Sequence, residues 1–185
     1  MLFDYQIEKQ LVDIGYDRMT MEEKNQLITT LARKEGAVLS LITDEYILNY
    51  HKKLKSAILS EKCDEVVVTG FKSTNGHTYR MKSDDQTNFN GQLIELMLFD
   101  KDVQEVPWLT EDEGYIVHPR EEWIHQVYRE AFSHKKAQLF KYNELKTRIN
   151  KAKTHTEIVA ISWDKPLEEP KKEEVTLEKG DSVSE

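Results

Sequence analysis

"EVVVTGFKSTNGHTYRMKSDDQ", residues 65 to 86, is where the chain changes its period. Glu65 to Phe71 is short and rich in β-branched residues, which predicts a strand. His77 to Met81 alternates, which predicts its partner. Between them Asn75-Gly76 is the strongest short hairpin signal a sequence offers, because both residues tolerate positive φ. Ser83 and Gln86 then have the spacing of a capping box, so a helix is expected to start there and to carry Phe89, Leu93, Leu96 and Met97.

Upstream the pattern is helical throughout. Phe3, Ile7, Leu11 and Ile14 fall on one face of a first helix that Gly15 ends. Thr20 and Glu23 form a capping box for a second, with Leu27, Ile28 and Leu31 on one face and Gly36 as its stop. A third is expected from Asp44 to Glu61. Downstream, "DVQEVPWLT" and "GYIVH" predict two more strands joined by the acidic turn "EDEG", with Pro107 at a sheet edge. Pro119 suits the first turn of a long helix running to about Ala152, where its missing N–H costs nothing. Thr154 and Glu157 cap a short last helix ending at Trp163.

The expected fold is therefore α+β: N-terminal helices, a small antiparallel sheet with hairpins, and one long C-terminal helix. Three regions follow: helices over 1–45, an α+β domain over 46–163, and an acidic tail over 164–185. The tail holds eight acidic residues against four lysines. It has too little apolar surface to offset its ordering entropy, which predicts a flexible segment.

Composition narrows the function. In 185 residues the net charge is −8, with 32% charged and 38% hydrophobic residues. That balance argues against nucleic acid or an anionic membrane as the main partner, since both need a dense basic patch. Cys63 stands alone, so neither an intramolecular disulfide nor a cysteine-rich zinc site can form. The first ten residues lack the basic and apolar segments of a signal peptide, and no apolar run is long enough for a membrane span.

The chemistry-bearing letters lie mostly in the opening stretch. An enzymatic reading would use His77 as base, Asp84 or Asp85 to orient it, and Arg80 as electrostatic stabiliser. His77 and Tyr79 share one strand face while Arg80 points to the other, which divides that set. Turn and capping chemistry accounts for the same residues. No activated nucleophile, Gly-rich phosphate loop, dinucleotide fingerprint or paired-histidine zinc motif occurs, and His125 and His134 lie roughly 180° apart on a helix. No catalytic residue, cofactor or metal is expected. Trp108 or Tyr115, if exposed, could serve a carbohydrate site, though no such motif is evident.

The long helix carries the other candidate function. Ile124, Ala131, Gln138, Leu145 and Ala152 recur at heptad spacing, with Tyr128, Lys135, Tyr142 and Ile149 as a second row. Trp123, Phe132, Leu139 and Phe140 lie outside that seam, so the helix is apolar on more than one side. Trp123, Tyr128, Phe132, Leu139 and Tyr142 are the candidate partner-binding residues, and a homo-oligomer is among the expected partners.

The order of motifs resembles a family of uncharacterised domains encoded in phage and prophage tail modules. The likeness rests on "STNGHTY" at 73–79, "DDQTNF" at 84–89 and "AKTHTEIVAISW" at 152–163, and covers roughly Tyr46 to Trp163. It implies a structural or binding component of a bacteriophage tail or baseplate, made in the host cytoplasm, located in the virion and contacting other tail proteins. The alternative it leaves is a tail-fibre assembly factor absent from the finished particle; a small phage hydrolase is the least favoured. The family has no agreed activity, so no catalytic residues follow from the likeness.

Overall fold

The computed structural model describes residues 3–99 and 102–165. The tail expected over 164–185 lies outside them but for Asp164 and Lys165. The fold is α+β, mostly helical, with two separate two-stranded antiparallel sheets. Helices α1 (Gln6–Ile14), α2 (Met21–Glu35) and α3 (Asp44–Thr69) come first. Strands β1 (Phe71–Lys72) and β2 (Thr78–Tyr79) form the first hairpin, followed by α4 (Ser83–Leu98). Strands β3 (Glu105–Thr110) and β4 (Gly114–Pro119) form the second, with Trp108 opposite Ile116 and Val106 opposite His118. The long helix α5 covers 120–151, and α6 (His155–Ala160) ends the fold.

Capping fixes several boundaries as expected. Thr20 Oγ1 accepts from the Glu23 N–H, and the Glu23 carboxylate accepts from the Thr20 N–H at 2.7 Å. Thr154 Oγ1 accepts from the Glu157 N–H in the same manner. Three local expectations are corrected. Of the stretch 65–71 only Phe71 is in a strand: α3 continues through Val66, Val67 and Val68 to Thr69. Burial of Leu59, Cys63 and Val67 against Leu145, Ile149 and Trp163 holds that turn helical against its β propensity. Ser83 does not cap α4; the Asp85 carboxylate instead accepts from the Lys82 N–H at 3.0 Å, and Gln86 donates to the Met81 carbonyl. In the first hairpin only Gly76 has positive φ. Asn75 works through its side chain, whose Oδ1 accepts from the His77 N–H. The loop is the three-residue kind, with Ser73 paired to His77 and the Gly76 N–H closing onto the Ser73 carbonyl.

Three apolar clusters make the core. The first joins α1 and α2 to the first half of α3, around Leu11, Leu27, Leu31 and Ile47. The second joins both hairpins, α4 and the start of α5, around Tyr79, Phe89, Leu96, Val106 and Trp123. The third runs along α3 and α5, which lie antiparallel: Lys52 reaches the Asn150 carbonyl and His134 the Val66 carbonyl. The heptad-spaced Ala131, Leu145 and Ile149 are buried at home in these clusters, and Ala152 is buried too. The first half of α5 contains one wider-wound stretch, Trp123–Tyr128, with π-type hydrogen bonding.

Candidate functional site

The first hairpin is tied to its surroundings through its polar letters, but not in the expected grouping. His77 Nδ1 lies 2.9 Å from Asp112 Oδ2, in the acidic turn of the second hairpin, rather than beside Asp84 or Asp85. The other Asp112 oxygen accepts from the Thr78 N–H at 2.8 Å. That backbone donor, followed by His77, holds the Asp112 carboxyl below its usual pKa. Arg80 lies 3.8 Å from Asp85. Glu113 joins His77 and Asp112 in a group whose ligand atoms lie within 4.8 Å of one another, so these three could hold a cation. A cation would have to displace Asp112 from two hydrogen bonds already made.

Behind this surface runs a buried polar chain. Asn75 Nδ2 donates to the Tyr79 hydroxyl at 2.8 Å, the hydroxyl lies 3.1 Å from His118 Nε2, and His118 Nδ1 lies 3.1 Å from Glu122 Oε1. A Tyr–His–Glu series has the form of a proton relay, but Tyr79 is fully buried and no substrate reaches its hydroxyl. Burial pushes the Tyr79 phenol pKa up, further from use as a base. What the chain does is lock β2, β4 and α5 together. On the same side Gln126 donates to Thr74 Oγ1, and Glu130 accepts from both the N–H and the hydroxyl of Thr74. The π-type stretch thus faces the hairpin loop. The spacing of His118 and Glu122 was the available sequence signal; Tyr79 as their partner needed the fold.

The five candidate partner-binding residues separate clearly. Trp123 is 0% exposed, packed among the rings of Phe89, Trp108 and Tyr128, and cannot meet a partner. It lies outside the seam because it fills the second cluster instead. Tyr142 is partly buried against the third cluster. Tyr128, Phe132 and Leu139 converge, with Met81, Phe89 and Ala131, on one groove of about 330 Å³ between α4 and α5. Phe132 and Leu139 remain 57% and 43% exposed. Lys135 and Lys136 also line the groove, Lys135 donating to Gln86 Oε1 and Lys136 lying over the Phe140 ring. On α4, Ile94 and Met97 continue the Gln86–Asn90 face by helical spacing, and both are exposed.

A further polar pair was not legible in the sequence. His51 and His155, 104 positions apart, stack with their Nδ1 atoms 2.9 Å apart. Burial, then the neighbouring His155 and Lys55, pushes His51 down to about 3. Burial also lowers His155, against the opposing pull of Asp17 and Asp44. The pair fixes α6 onto α3.

Residues 50–162 match a family model described as a domain of unknown function, DUF4376, and the chain belongs to that family. No curated protein matches the chain, and no solved structure does.

Proposed function

We propose that this member of the DUF4376 family is a protein-binding module of a bacteriophage tail or baseplate, and that its docking surface is the α4–α5 groove. The observation that carries the reading is the groove itself: an apolar floor of Met81, Phe89 and Ala131, with Phe132 and Leu139 left half in water beside it. Exposed aromatic and aliphatic side chains around a preformed groove are the features of a helix-in-groove interface. The flanking Lys135 and Lys136 select the occupant by charge. It is an amphipathic segment of another protein, apolar on one face and bordered by carboxylates. The tail context is supported by the motif order at 73–79, 84–89 and 152–163.

No chemistry is assigned to the His77, Asp112 and Tyr79 groups, whose geometry serves the hairpins. The test is a photo-crosslinking amino acid at position 132 in assembling particles, with position 38 as an exposed control remote from the groove. Crosslinks from 132 to a tail or baseplate protein in purified particles support the reading. The same crosslinks during assembly, with the chain absent from purified particles, support the assembly factor instead. Crosslinks to a second copy alone would make the groove a homo-oligomer interface and overturn the proposal.

A further inference from the structure

The histidine pair between α3 and α6 shares no residue with the groove, and its hydrogen bond restricts where protons can sit. His51 is 0% exposed and His155 is nearly as buried. Their rings stack with centroids 5.2 Å apart and meet through Nδ1 atoms 2.9 Å apart. One Nδ1 must carry a proton and the other must not. The far nitrogen of His51, Nε2, is buried and has no partner in the protein. If His51 accepted at Nδ1, its Nε2 would carry the proton and become a buried N–H without an acceptor. The neutral pair therefore has His51 donating through Nδ1 and His155 protonated at Nε2.

Neither ring has a place for a further proton. On His51 it would go to Nε2, making a buried cation whose second N–H has no acceptor. On His155 it would go to Nδ1, and His51 could accept it only by moving its own proton to the orphaned Nε2. The surrounding charges do not supply the missing acceptor. Lys55 on α3 adds positive charge beside His51, and Asp13 on α1 acts on Lys55. Around His155 stand Tyr16 and Asp17 after α1, Lys24 on α2, Asp44 and Glu45 on α3, and Lys153 before α6. Asp17 and Asp44 draw a proton toward His155 and Lys24 opposes it. Among the described residues no carboxylate is hydrogen-bonded to either ring. Both rings are held below the ordinary 6.5, His51 at about 3, with burial the largest cause.

The element that this pair holds down can leave without breaking the path of the chain. Helix α6 is six residues long and is the last helix or strand among the described residues. It is seated by His155 and Ile158, and Trp163 follows it into the third cluster.

We propose that His51 and His155 form an acid-operated latch: below neutral pH the separated rings take up protons that the closed pair has no place for, and α6 with Trp163 lifts from α3 while the rest of the fold persists. The groove lies between α4 and the first half of α5, so this proposal and the docking reading stand or fall independently.

The experiment is amide hydrogen exchange of the full chain from pH 7.5 to 5.0, corrected for intrinsic rates, with ¹⁹F NMR of the 5-fluorotryptophan-labelled chain over the same range. A ring that titrates at ~6.5 when released and stays neutral when closed multiplies the opening constant by roughly 30 over that range, and two such rings by roughly 900. Protection of the Ile158 and Val159 amides should therefore fall at least about 30-fold, to about a tenth or less of that of Leu27 and Leu31 in α2. The Trp163 signal, assigned by its loss in Trp163→Phe, should shift or broaden at higher pH than those of Trp108 and Trp123. His51→Leu with His155→Leu should remove the pH dependence at Ile158 and Val159. The proposal is overturned if α6 protection is independent of pH, if α6 and α2 lose protection together, or if the double variant keeps the dependence. Should the double variant fail to fold, exchange and the three fluorine signals of the parent chain decide by the same criteria.

Discussion

Glu8 in the N-terminal bundle and Tyr79 in the hairpin half are both fully buried polar residues, and their surroundings differ in kind. Glu8 closes a compact network: its carboxylate accepts from the Asp4 and Tyr5 N–H groups, the Tyr50 hydroxyl and Lys34. Burial alone would raise its pKa, yet the bonds from Tyr50 and Lys34 lower it. Burial and the Glu8 bond push Tyr50 up to about 12. Tyr79 instead anchors a chain that reaches outward to Glu122 at the surface. The groove adjoins that half through Met81, Phe89 and Tyr128. One half closes its buried polar group into a local network; the other runs it out to the surface, beside the groove whose floor is apolar.

The contrast can be broken hardest at Gly70. Its φ is +90°, and a Cβ there would overlap the Tyr79 carbonyl oxygen. Gly70→Ala should destabilise the chain by about 3 kcal/mol, combining strain with displacement of β2. Urea unfolding measures it; a loss within error would mean the hairpin is not rigidly seated. Glu8→Ala should cost about 2–3 kcal/mol, because it leaves Tyr50 and two backbone N–H groups without their acceptor. Partner binding by the folded variant should be unchanged, since the network lies away from the groove.

Acid separates two buried sites within the N-terminal half next. His51 and His155 have folded pKa values below the ordinary 6.5. The unfolded chain therefore takes protons first. The stability this pair contributes is full above about pH 6.5. It is lost progressively as pH falls toward the folded value of about 3 for His51. Glu8 starts to lose its contribution only near the unfolded carboxylate value of 4.5. Melting temperature should thus fall between pH 6.5 and about 5, and His51→Leu with His155→Leu should flatten that part of the curve. A smaller effect is expected at Thr20→Ala, about 1 kcal/mol for a lost cap, read as a shift in urea midpoint.

The sequence made some of this legible and not the rest, for physical reasons. Caps at Thr20 and Thr154, the stop at Gly36 and the second hairpin are local, and local chemistry decided them. The α+β class followed from those signals. The end of α3 did not, because Val66 to Val68 follow their tertiary contacts rather than their propensity. Periodicity placed Phe132 and Leu139 on α5's surplus apolar side, but gave Trp123 the same standing, since it cannot distinguish a second core from a surface. His77 with Asp112, Tyr79 with His118, and His51 with His155 join residues 35, 39 and 104 positions apart, beyond any spacing rule.

The most direct test of the groove as a docking surface pairs stability with binding in Phe132→Asp and Leu139→Asp. Both side chains are about half exposed, so each change should alter unfolding free energy by no more than about 1 kcal/mol. Affinity for tail and baseplate proteins of the same particle, measured by calorimetry on purified components, should fall at least tenfold, by about 1.4 kcal/mol or more. Unchanged affinity in both variants, with the fold intact, would contradict the account.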